Sequence, residues 1–364
     1  MLDKNRIAVI SSGNGGQSMA AYFAHLGFSV ALYAREKERV MMFPQDRVFK
    51  LRGAVVGNPV VDFISSDMSE VIKDAHLIMV TTPTQYHHVV AREMAGCLED
   101  GQIILLNPGR TFGTYVFTGA LKQNGNDKDV IVAEAETFMF ACRCARVAEP
   151  YIHGIKENVR VAAHNSDNTE KVVETLRRLF PSMQPAESVL HTGFSNIGMV
   201  FHPLPILLNI TRVEAQEKFL YYIDGISPLV ANILDRMDNE RLDVARAYGV
   251  ETPSAFEWLQ EHYGSEGETL YDRIQSTPAY ANILAPIDID TRYIFEDILT
   301  GCVPMYYAGA AVGVDTPIIK SAILWASTVY ATDFIQNGRN DTVIDFAALL
   351  EQAEKKPNTT AGQV

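Results

Sequence analysis

The sequence predicts an N-terminal α/β domain with a doubly wound sheet, followed by an all-helical domain. Through about residue 165, short β-branched runs alternate with amphipathic segments, which is typical of a parallel sheet covered by helices. Beyond a helical connector from Thr169 to Phe180, helical spacing replaces strand-like alternation. We therefore place the first domain at 1–182 and the helical domain at 183–354, and we expect the polar tail at 355–364 to be disordered.

Six apolar runs are the predicted strands of the first domain: Ile7–Ile10, Val30–Tyr33, His76–Val80, Ile103–Leu106, Val130–Ala133 and Val159–Ala162. Two runs end in turns that contain Pro83 and the segment Asn107-Pro108-Gly109. Such turns lie at the carboxyl ends of the strands, where an open α/β sheet binds its ligands. We expect Pro83, Asn107 and Gly109 to contact a ligand there, and Glu134, after the next run, either to contact it or to have a structural role.

Capping residues define the helices of the second domain. The segment Asn239–Tyr248 has one apolar stripe, and Gly249 follows it as a C-terminal cap. The pairs Thr252-Pro253 and Thr316-Pro317 each place a hydroxyl at the cap position and a proline at the first helical position. The helix after Thr252-Pro253 is predicted to end near Gly264.

Composition limits the function classes. A chain of 364 residues exceeds the size at which a single core stops growing, so two domains are expected. The net charge of −13 argues against binding to nucleic acid or to a membrane surface, because those partners need clustered Lys and Arg. No uninterrupted apolar run reaches the roughly 18 residues that span a bilayer, and a strand stands where a signal peptide would begin. We expect a soluble, cytoplasmic protein.

The four cysteines do not form a recognisable framework. Cys97, Cys142, Cys144 and Cys302 are irregularly spaced, and the Cys142-x-Cys144 pair has no second pair to complete a zinc site. We therefore expect reduced, mostly buried thiols and no metal centre.

The chain begins with a strand that runs into a glycine-rich turn. The usual first glycine of G-x-G-x-x-G is replaced, so the turn reads S-x-G-x-x-G, and alanines follow it at helical spacing. Glycine leaves room for a pyrophosphate next to the backbone, and the helix N-terminus attracts its charge. The alternative is an ordinary glycine-rich αβ turn. The context predicts a dinucleotide-binding Rossmann domain whose cofactor contacts include Ser11, Gly13, Asn14, Gly15 and Gly16.

The end of the second strand indicates which dinucleotide is bound. Units that prefer NAD have an Asp or Glu there for the adenosine ribose, whereas this strand ends Tyr33-Ala34-Arg35. The guanidinium of Arg35 suits a 2′-phosphate, which favours NADP over NAD. In the alternative, Arg35 is a solvated side chain and Glu36 or Glu38 binds the ribose.

Two segments of the helical half carry residues suited to acid/base chemistry. His202 lies in an apolar stretch, where a histidine that only packs in the core is the common alternative. The second segment combines Arg292, Tyr293, Glu296 and Asp297. An Asp that accepts one imidazole proton stabilises the imidazolium and leaves the other nitrogen for proton transfer, and an Arg can clamp a carboxylate.

With these residues the sequence resembles the octopine/nopaline (opine) dehydrogenase family, in particular bacterial enzymes that make N-(1-carboxyalkyl) amino acids. The resemblance covers nearly the whole chain. It is carried by Asn14-Gly15-Gly16, Leu106-Asn107-Pro108-Gly109, Glu134, Ile155-Lys156, Ser195-Asn196, His202-Pro203, Leu207-Leu208-Asn209, Tyr221-Tyr222 and Arg292-Tyr293-x-x-Glu296-Asp297.

The resemblance implies roles for individual residues. His202 and Asp297 would be the catalytic pair, and Arg292 would bind a substrate carboxylate. Asn196 and Tyr221 are further substrate-binding candidates, although Tyr221 and its neighbour Tyr222 are also suited to core packing. Two departures matter. The acidic residue that NAD-preferring members have near position 34 is missing, and some relatives carry an Asn at position 198, where this chain has Gly.

The implied reaction is a reversible, NAD(P)H-dependent reductive condensation. The amine of an L-amino acid condenses with an α-keto acid such as pyruvate, and the product is a secondary-amine dicarboxylate. Local cations would hold the two carboxylates, Arg292 first and less surely Arg143 or Lys156. The rival functions are a dehydrogenase of one hydroxy or keto acid, of the glycerol-3-phosphate or ketopantoate type, and a non-catalytic NADP-binding sensor. We expect a homodimer.

Overall fold

The computed structural model describes residues 3–354, so the predicted tail at 355–364 lies outside the described residues. The chain divides into two compact units, Met1–Gly193 and Phe194–Val364. This division lies beyond the boundary predicted after residue 182. Below, the two are unit 1 and unit 2.

Unit 1 contains an eight-stranded sheet with the strand order β11-β10-β7-β6-β5-β1-β2-β4. Neighbouring strands are parallel except β7 and β10, which are antiparallel. The strands are β1 Asp3–Ile10, β2 Ser29–Tyr33, β4 Phe63–Ser65, β5 Ala75–Val80, β6 Ile103–Leu106, β7 Ile131–Ala135, β10 Arg160–Ala163 and β11 Gln184–Pro185. All six predicted runs are strands of this sheet, and the predicted fold class is confirmed.

Helices cover both faces of the sheet, because the apolar side chains of each strand alternate between them. In β1, Ile7 and Val9 pack with Phe23 of α1, whereas Ala8 and Ile10 face the side that holds α3, α4 and α5. The helices are α1 Asn14–His25, α2 Lys37–Met41, α3 Met68–Ile72, α4 His87–Met94, α5 Gly113–Gln123, α6 Thr169–Arg177 and α7 Val189–Phe194. Burial on both faces explains why these strands read as continuous apolar runs.

A second sheet of three strands in unit 1 was not predicted. It has the order β3-β9-β8, with β3 Arg52–Gly53, β8 Phe140–Cys144 and β9 Pro150–Ile155. These strands are short, and β8 alternates buried or half-buried residues with exposed ones, including Arg143. The sequence signal is therefore weak, because half of each strand faces solvent.

The described part of unit 2 contains helices and no named strand. The helices are α8 Gly198–Phe201, α9 Pro203–Leu208, α10 Ile210–Glu214, α11 Pro228–Ala247, α12 Ala255–Tyr263, α13 Leu270–Ser276, α14 Arg292–Asp297, α15 Val303–Val312, α16 Pro317–Val329, α17 Phe334–Asn337 and α18 Phe346–Glu354. A π-helical segment, Ile298–Cys302, joins α14 to α15. Over residues 3–354, none of the helices is long and apolar enough to cross a membrane.

The observed caps correct one prediction and qualify another. α12 begins after Ser254, whose side chain forms a capping box with Glu257, so Thr252-Pro253 precedes the helix instead of capping it. Its end at Gly264 is as predicted. At α16, Thr316 is the N-cap but its side chain makes no capping hydrogen bond, because Glu240 accepts the amide protons of Ile318 and Ile319 instead.

The cysteines are free, as expected, but only Cys302 is fully buried; Cys97, Cys142 and Cys144 are half-buried. The expectation of mostly buried thiols is therefore wrong.

A buried ion pair on α11 holds the chain where it enters unit 2. Arg241 is fully buried and donates to Asp238 at 2.7 Å and to the carbonyl of Phe194 at 2.7 Å. It also donates to the Thr252 hydroxyl and to the Pro253 carbonyl. The guanidinium thus links α11, the start of unit 2 and the loop before α12.

We predict that Asp238→Ala destabilises unit 2 by about 3–5 kcal/mol, because it leaves the Arg241 guanidinium buried without its carboxylate. The matched control is Asp243→Ala on the same helix. Asp243 pairs with Arg246 at the same i,i+3 spacing, but both side chains are more than half exposed, so its loss should cost at most about 1 kcal/mol. Urea unfolding measures both variants, and equal midpoints for the two would contradict the assignment.

Candidate active site

The glycine-rich turn of unit 1 is built for close backbone approach. A Cβ on Gly16 would lie 1.7 Å from the carbonyl oxygen of Ser11, so no other residue fits there. Ser11 itself has φ of 121°, a conformation that favours glycine, and its hydroxyl accepts the Gly13 amide proton at 3.2 Å. The replaced first glycine of the motif therefore still adopts a glycine-like backbone.

The N-terminus of α1 follows this turn and suits an anionic ligand. Gly13 is the N-cap, no side-chain cap is bonded to it, and no acidic residue lies in the first turn. Gly13 and Asn14 are exposed. The first amide groups of the helix and its dipole therefore point towards solvent, where a pyrophosphate would satisfy them. These residues fit a dinucleotide.

Two polar side chains join the glycine-rich turn to the second sheet, a connection that was not predicted. Asn14 accepts the amide proton of Cys144 through Oδ1 at 3.1 Å. Gln17 donates to the carbonyl of Ser12 at 2.7 Å and accepts the amide proton of Ala148 at 2.8 Å. The side chain of Asn14, predicted to contact the cofactor, is thus engaged in positioning the turn.

The end of β2 has a more complex arrangement than predicted. Arg35 is exposed, as expected of a residue that binds a 2′-phosphate. However, its Nη2 lies 3.3 Å from Oε1 of Glu93 on α4. The hydroxyl of Tyr33 donates to Oε2 of the same carboxylate at 3.3 Å. A second arginine, Arg39, donates to the carbonyl of Ser12 at 3.1 Å and so lies against the glycine-rich turn. Neither Glu93 nor Arg39 was predicted.

The ends of β5 and β6 lie near the carboxyl end of β1. The Thr81 hydroxyl donates to the Ile10 carbonyl, and Pro83 is the N-cap of a short 3-10 helix at Thr84–Tyr86. Asn107 is buried, and its side chain contacts Met79 Sδ and the Met139 amide group within unit 1. A ligand that binds the Asn107 side chain would therefore share it with Met79 and Met139.

Glu134 is fully buried and its carboxylate is engaged within unit 1. Oε2 accepts the amide proton of Thr114 at 2.8 Å, and Oε1 accepts the Thr192 hydroxyl proton at 2.7 Å. A Cβ on Gly109 would lie 2.5 Å from Glu134, which explains the glycine. Of the two roles predicted for Glu134, these contacts favour the structural one, at the N-terminus of α5.

In unit 2, His202 and Asp297 are joined although they lie 95 residues apart in sequence. His202 Nδ1 lies 2.7 Å from Asp297 Oδ2. The Asp297 side chain is fully buried, whereas that of His202 is 13% exposed. An ionised carboxylate can only accept a hydrogen bond, so it holds the Nδ1 proton and directs proton exchange to Nε2. The pair has the geometry of a general acid/base.

Two tyrosines fix the position of His202. The ring of Tyr293 stacks on the imidazole with centroids 4.1 Å apart and planes at 12°. The Tyr221 hydroxyl donates to the carbonyl oxygens of Phe201 and His202, at 3.0 and 2.8 Å. Tyr221 is buried, so it supports the histidine backbone instead of lining an open pocket. The neighbouring Tyr222 stacks on Tyr280, in agreement with its predicted alternative of core packing.

Arg292 begins the short helix that ends with Asp297. Its side chain is 63% exposed, and Nη1 lies 3.8 Å from Oε2 of the buried Glu296, one helical turn on. At 3.8 Å, the Glu296 carboxylate orients the Arg292 guanidinium but cancels little of its charge. The N–H donors of Arg292 can therefore bind an incoming carboxylate. Tyr293, which stacks on His202, lies between Arg292 and Asp297 in the sequence. Arg143 and Lys156, the less sure candidates, belong to unit 1, where Lys156 donates to Thr137.

The π-helical segment after Asp297 lets α8 approach closely. A Cβ on Gly301 would lie 2.8 Å from Met199 Cβ and 3.0 Å from Asn196 Nδ2. Asn196 is buried beside this contact, and α8 ends immediately before His202. Glycine is normally unfavourable inside a helix. Gly301 within this helical segment was therefore the one sequence signal of the close packing.

Comparison with known proteins identifies relatives. Residues 185–330 match the family model "NAD/NADP octopine/nopaline dehydrogenase, alpha-helical domain", and residues 6–109 match "NAD-dependent glycerol-3-phosphate dehydrogenase N-terminus". An opine dehydrogenase of Arthrobacter sp. (strain 1C) is 36% identical over 93% of this chain and 94% of its own. A vitopine synthase of Allorhizobium ampelinum is 26% identical over 76% of each chain.

Solved structures share the fold. An octopine dehydrogenase in complex with NADH and L-arginine superposes with a TM-score of 0.80 and 20% identity over 98% of this chain and 100% of its own. A yersinopine dehydrogenase with NADP⁺ bound has a TM-score of 0.74 at 13% identity, over 96% and 98%. A ketopantoate reductase of Ralstonia eutropha is less similar, with a TM-score of 0.62 at 14% identity, over 96% and 99%.

These findings confirm the predicted resemblance and rank the family above the single-substrate rivals. At 36% identity over nearly the full length of both chains, this chain belongs to the octopine/nopaline (opine) dehydrogenase family, whose members are NAD(P)-dependent oxidoreductases.

Proposed function

We propose that this opine dehydrogenase joins the amine of an L-amino acid to an α-keto acid such as pyruvate and reduces the product to a secondary-amine dicarboxylate. The observation that carries the proposal is the 2.7 Å contact between His202 Nδ1 and the buried Asp297 carboxylate. It provides a proton-transfer group, which a non-catalytic cofactor sensor would not need.

The condensation demands protons at defined moments. The amine nitrogen attacks the keto carbon, and the carbonyl oxygen takes a proton to give a carbinolamine. The C–O bond then breaks, and the hydroxyl group needs a second proton to leave as water. His202 accepts the two protons that the amino group loses, one from its ammonium form before the attack and one after it, and donates them through Nε2 in these two steps. The reduced nicotinamide, when bound, supplies the hydride that converts the resulting iminium carbon to the amine.

Asp297 and Tyr293 keep the imidazole ready for this exchange. The carboxylate stabilises the imidazolium that forms whenever Nε2 gains a proton, and it fixes the neutral tautomer when the proton leaves. The stacked Tyr293 ring prevents the imidazole from rotating out of line. Tyr221 acts on the same residue from the backbone side, so its predicted substrate contact becomes a positioning role in this proposal.

Arg292 is the proposed carboxylate clamp. Both substrates carry a carboxylate, whereas the chain has a net charge of −13, so a local cation must hold them. Arg292 is exposed and lies on the helix that also carries Asp297. Its planar fork can bind both oxygens of a carboxylate, which fixes the orientation of the carbon next to it. Asn196 remains a substrate-binding candidate from the resemblance, with its buried amide near Gly301.

For the cofactor we propose that NADPH is preferred over NADH. Arg35, which is exposed at the end of β2, and Arg39, which is half-buried against the glycine-rich turn, are two cations near the expected position of a 2′-phosphate. No acidic residue stands at position 34 or 35. The pairing of Arg35 with Glu93 moderates this preference.

The rival single-substrate dehydrogenases are expected to use a catalytic lysine in the helical domain. In the described part of unit 2 the lysines are Lys218 and Lys320, and both are exposed. Neither contacts His202 or Asp297, which supports the condensation mechanism over the rival.

We also propose a homodimer that works in the cytoplasm, where NAD(P)H and α-keto acids are common metabolites. The exposed apolar side chains of α16, Leu324, Trp325 and Val329, support self-association through unit 2.

The direct test of the reaction is a matrix of amino acids against pyruvate, glyoxylate, oxaloacetate and 2-oxoglutarate. We expect NADPH oxidation only when both substrates are present, with one secondary amine formed per NADPH consumed. Absorbance at the nicotinamide band and the mass of the product measure the two quantities. Oxidation with a keto acid alone would move the assignment to a single-substrate dehydrogenase.

His202→Ala is expected to lower kcat by roughly a hundredfold or more while NADPH affinity is nearly unchanged, because only proton transfer is lost. The matched control is His262→Ala. His262 is another half-buried histidine of unit 2, stacked on Trp258, and its variant should keep normal turnover.

Arg292→Gln serves as the contrasting variant in the same assay, because it should act chiefly on the KM of a carboxylate substrate. Near-normal turnover of His202→Ala, or identical effects of His202→Ala and Arg292→Gln on kcat and KM, would refute the assigned roles.

A further inference from the structure

The carboxyl end of β2 receives an acidic residue from a distant part of the chain. In this type of fold the acid that recognises the ribose normally ends the second strand, and here Ala34 and Arg35 stand at that place. The structure brings Glu93 of α4 there instead. Its carboxylate lies 3.3 Å from Arg35 Nη2 and accepts the Tyr33 hydroxyl proton at 3.3 Å.

We propose that Glu93 is a selectivity residue for the nicotinamide cofactor, which competes with the ribose 2′-phosphate for Arg35 and so limits the preference for NADPH. This inference rests on the proposed placement of the 2′-phosphate at Arg35.

The competition follows from the donors of the guanidinium. A phosphate dianion and a carboxylate bind the same N–H groups, so Arg35 must release Glu93, at least in part, to bind a 2′-phosphate. The Arg35 side chain is 65% exposed and can reorient, whereas that of Glu93 is only 27% exposed. The carboxylate therefore stays close to the incoming phosphate, and the two negative charges repel each other.

Tyr33 keeps Glu93 in this position. It is buried in the core that β2 shares with α3 and α4, and its hydroxyl donates to the carboxylate. Burial, together with the negative charge of Glu93, raises the pKa of Tyr33 to about 12, so the hydroxyl remains a donor at neutral pH. Asp67, the N-cap of α3, adds a further negative charge on this side.

NADH has no phosphate at this position, so the same arrangement does not penalise it. With Arg35 neutralised by Glu93, the end of β2 presents a balanced pair of charges to the ribose hydroxyls. Arg39 of α2 donates to the Ser12 carbonyl of the glycine-rich turn and makes no observed contact with Glu93, so the charge of Glu93 acts on the 2′-phosphate through Arg35. Glu93 thus lowers the affinity for NADPH relative to the affinity for NADH.

The test is Glu93→Gln, which keeps the side-chain size and removes the charge. Titrations of the purified full-length enzyme with NADPH and with NADH, followed by nicotinamide fluorescence, give both dissociation constants. We expect the Kd of NADPH to fall roughly three- to fivefold while that of NADH changes by less than about twofold. The matched control is Glu174→Gln on α6, an exposed glutamate that should leave both constants unchanged.

Arg35→Ala and the double variant separate this inference from the proposed cofactor site. Arg35→Ala should weaken NADPH binding by roughly tenfold, and Glu93→Gln should then gain less than it does beside Arg35. An unchanged ratio of the two constants in Glu93→Gln, with Arg35→Ala behaving as expected, would overturn the role of Glu93 alone. An Arg35→Ala variant that binds NADPH normally would overturn both assignments, and neither result depends on the condensation reaction.

Discussion

The hydrogen bond between His202 and Asp297 is the interaction on which the proposed chemistry depends. A buried carboxylate is costly unless it is paired, and the imidazole edge is the partner that the structure gives Asp297 at 2.7 Å. Much of the nearby architecture serves this contact. Tyr293 stacks on the ring, Tyr221 holds the backbone, and Gly301 lets α8 approach the π-helical segment that follows Asp297.

The same physical logic organises unit 1 around the glycine-rich turn. Gly16 packs closely on Ser11, so the N-terminus of α1 lies next to the end of β1. Gln17 accepts the amide proton of Ala148, which connects the turn to the second sheet. The exposed amide groups of α1 are suited to bind a pyrophosphate without a cationic surface, which is compatible with a chain of net charge −13. Charge recognition in this protein is local.

The sequence predicted what depends on local pattern. Strands buried on both faces appear as apolar runs, so the six longer strands of the large sheet were predicted. In β8 and β9, buried or half-buried residues alternate with exposed ones, and these strands were missed. Gly264 ended its helix as predicted, but Ser254 and not Thr252 began it, because both residues are good caps and only the capping box with Glu257 decides between them.

Contacts between distant residues could not be obtained from spacing. His202 and Asp297 were paired in advance only through the family resemblance, since a separation of 95 residues contains no distance information. No pattern near β2 indicated that Glu93 would reach Arg35, because helix packing decides that contact. Glu134 and Asn107, both at strand ends where ligands bind, proved to be occupied by partners within the protein.

The most direct measurement of the central claim is the protonation of His202 by long-range ¹H–¹⁵N NMR on enzyme labelled at its histidines, with His202→Ala to assign the signal. The account predicts that neutral His202 carries its proton on Nδ1, with a proton resonance shifted strongly downfield by Asp297, and that Asp297→Ala abolishes this resonance. A neutral His202 protonated at Nε2 in the unmodified enzyme, or a spectrum indifferent to Asp297→Ala, would contradict it.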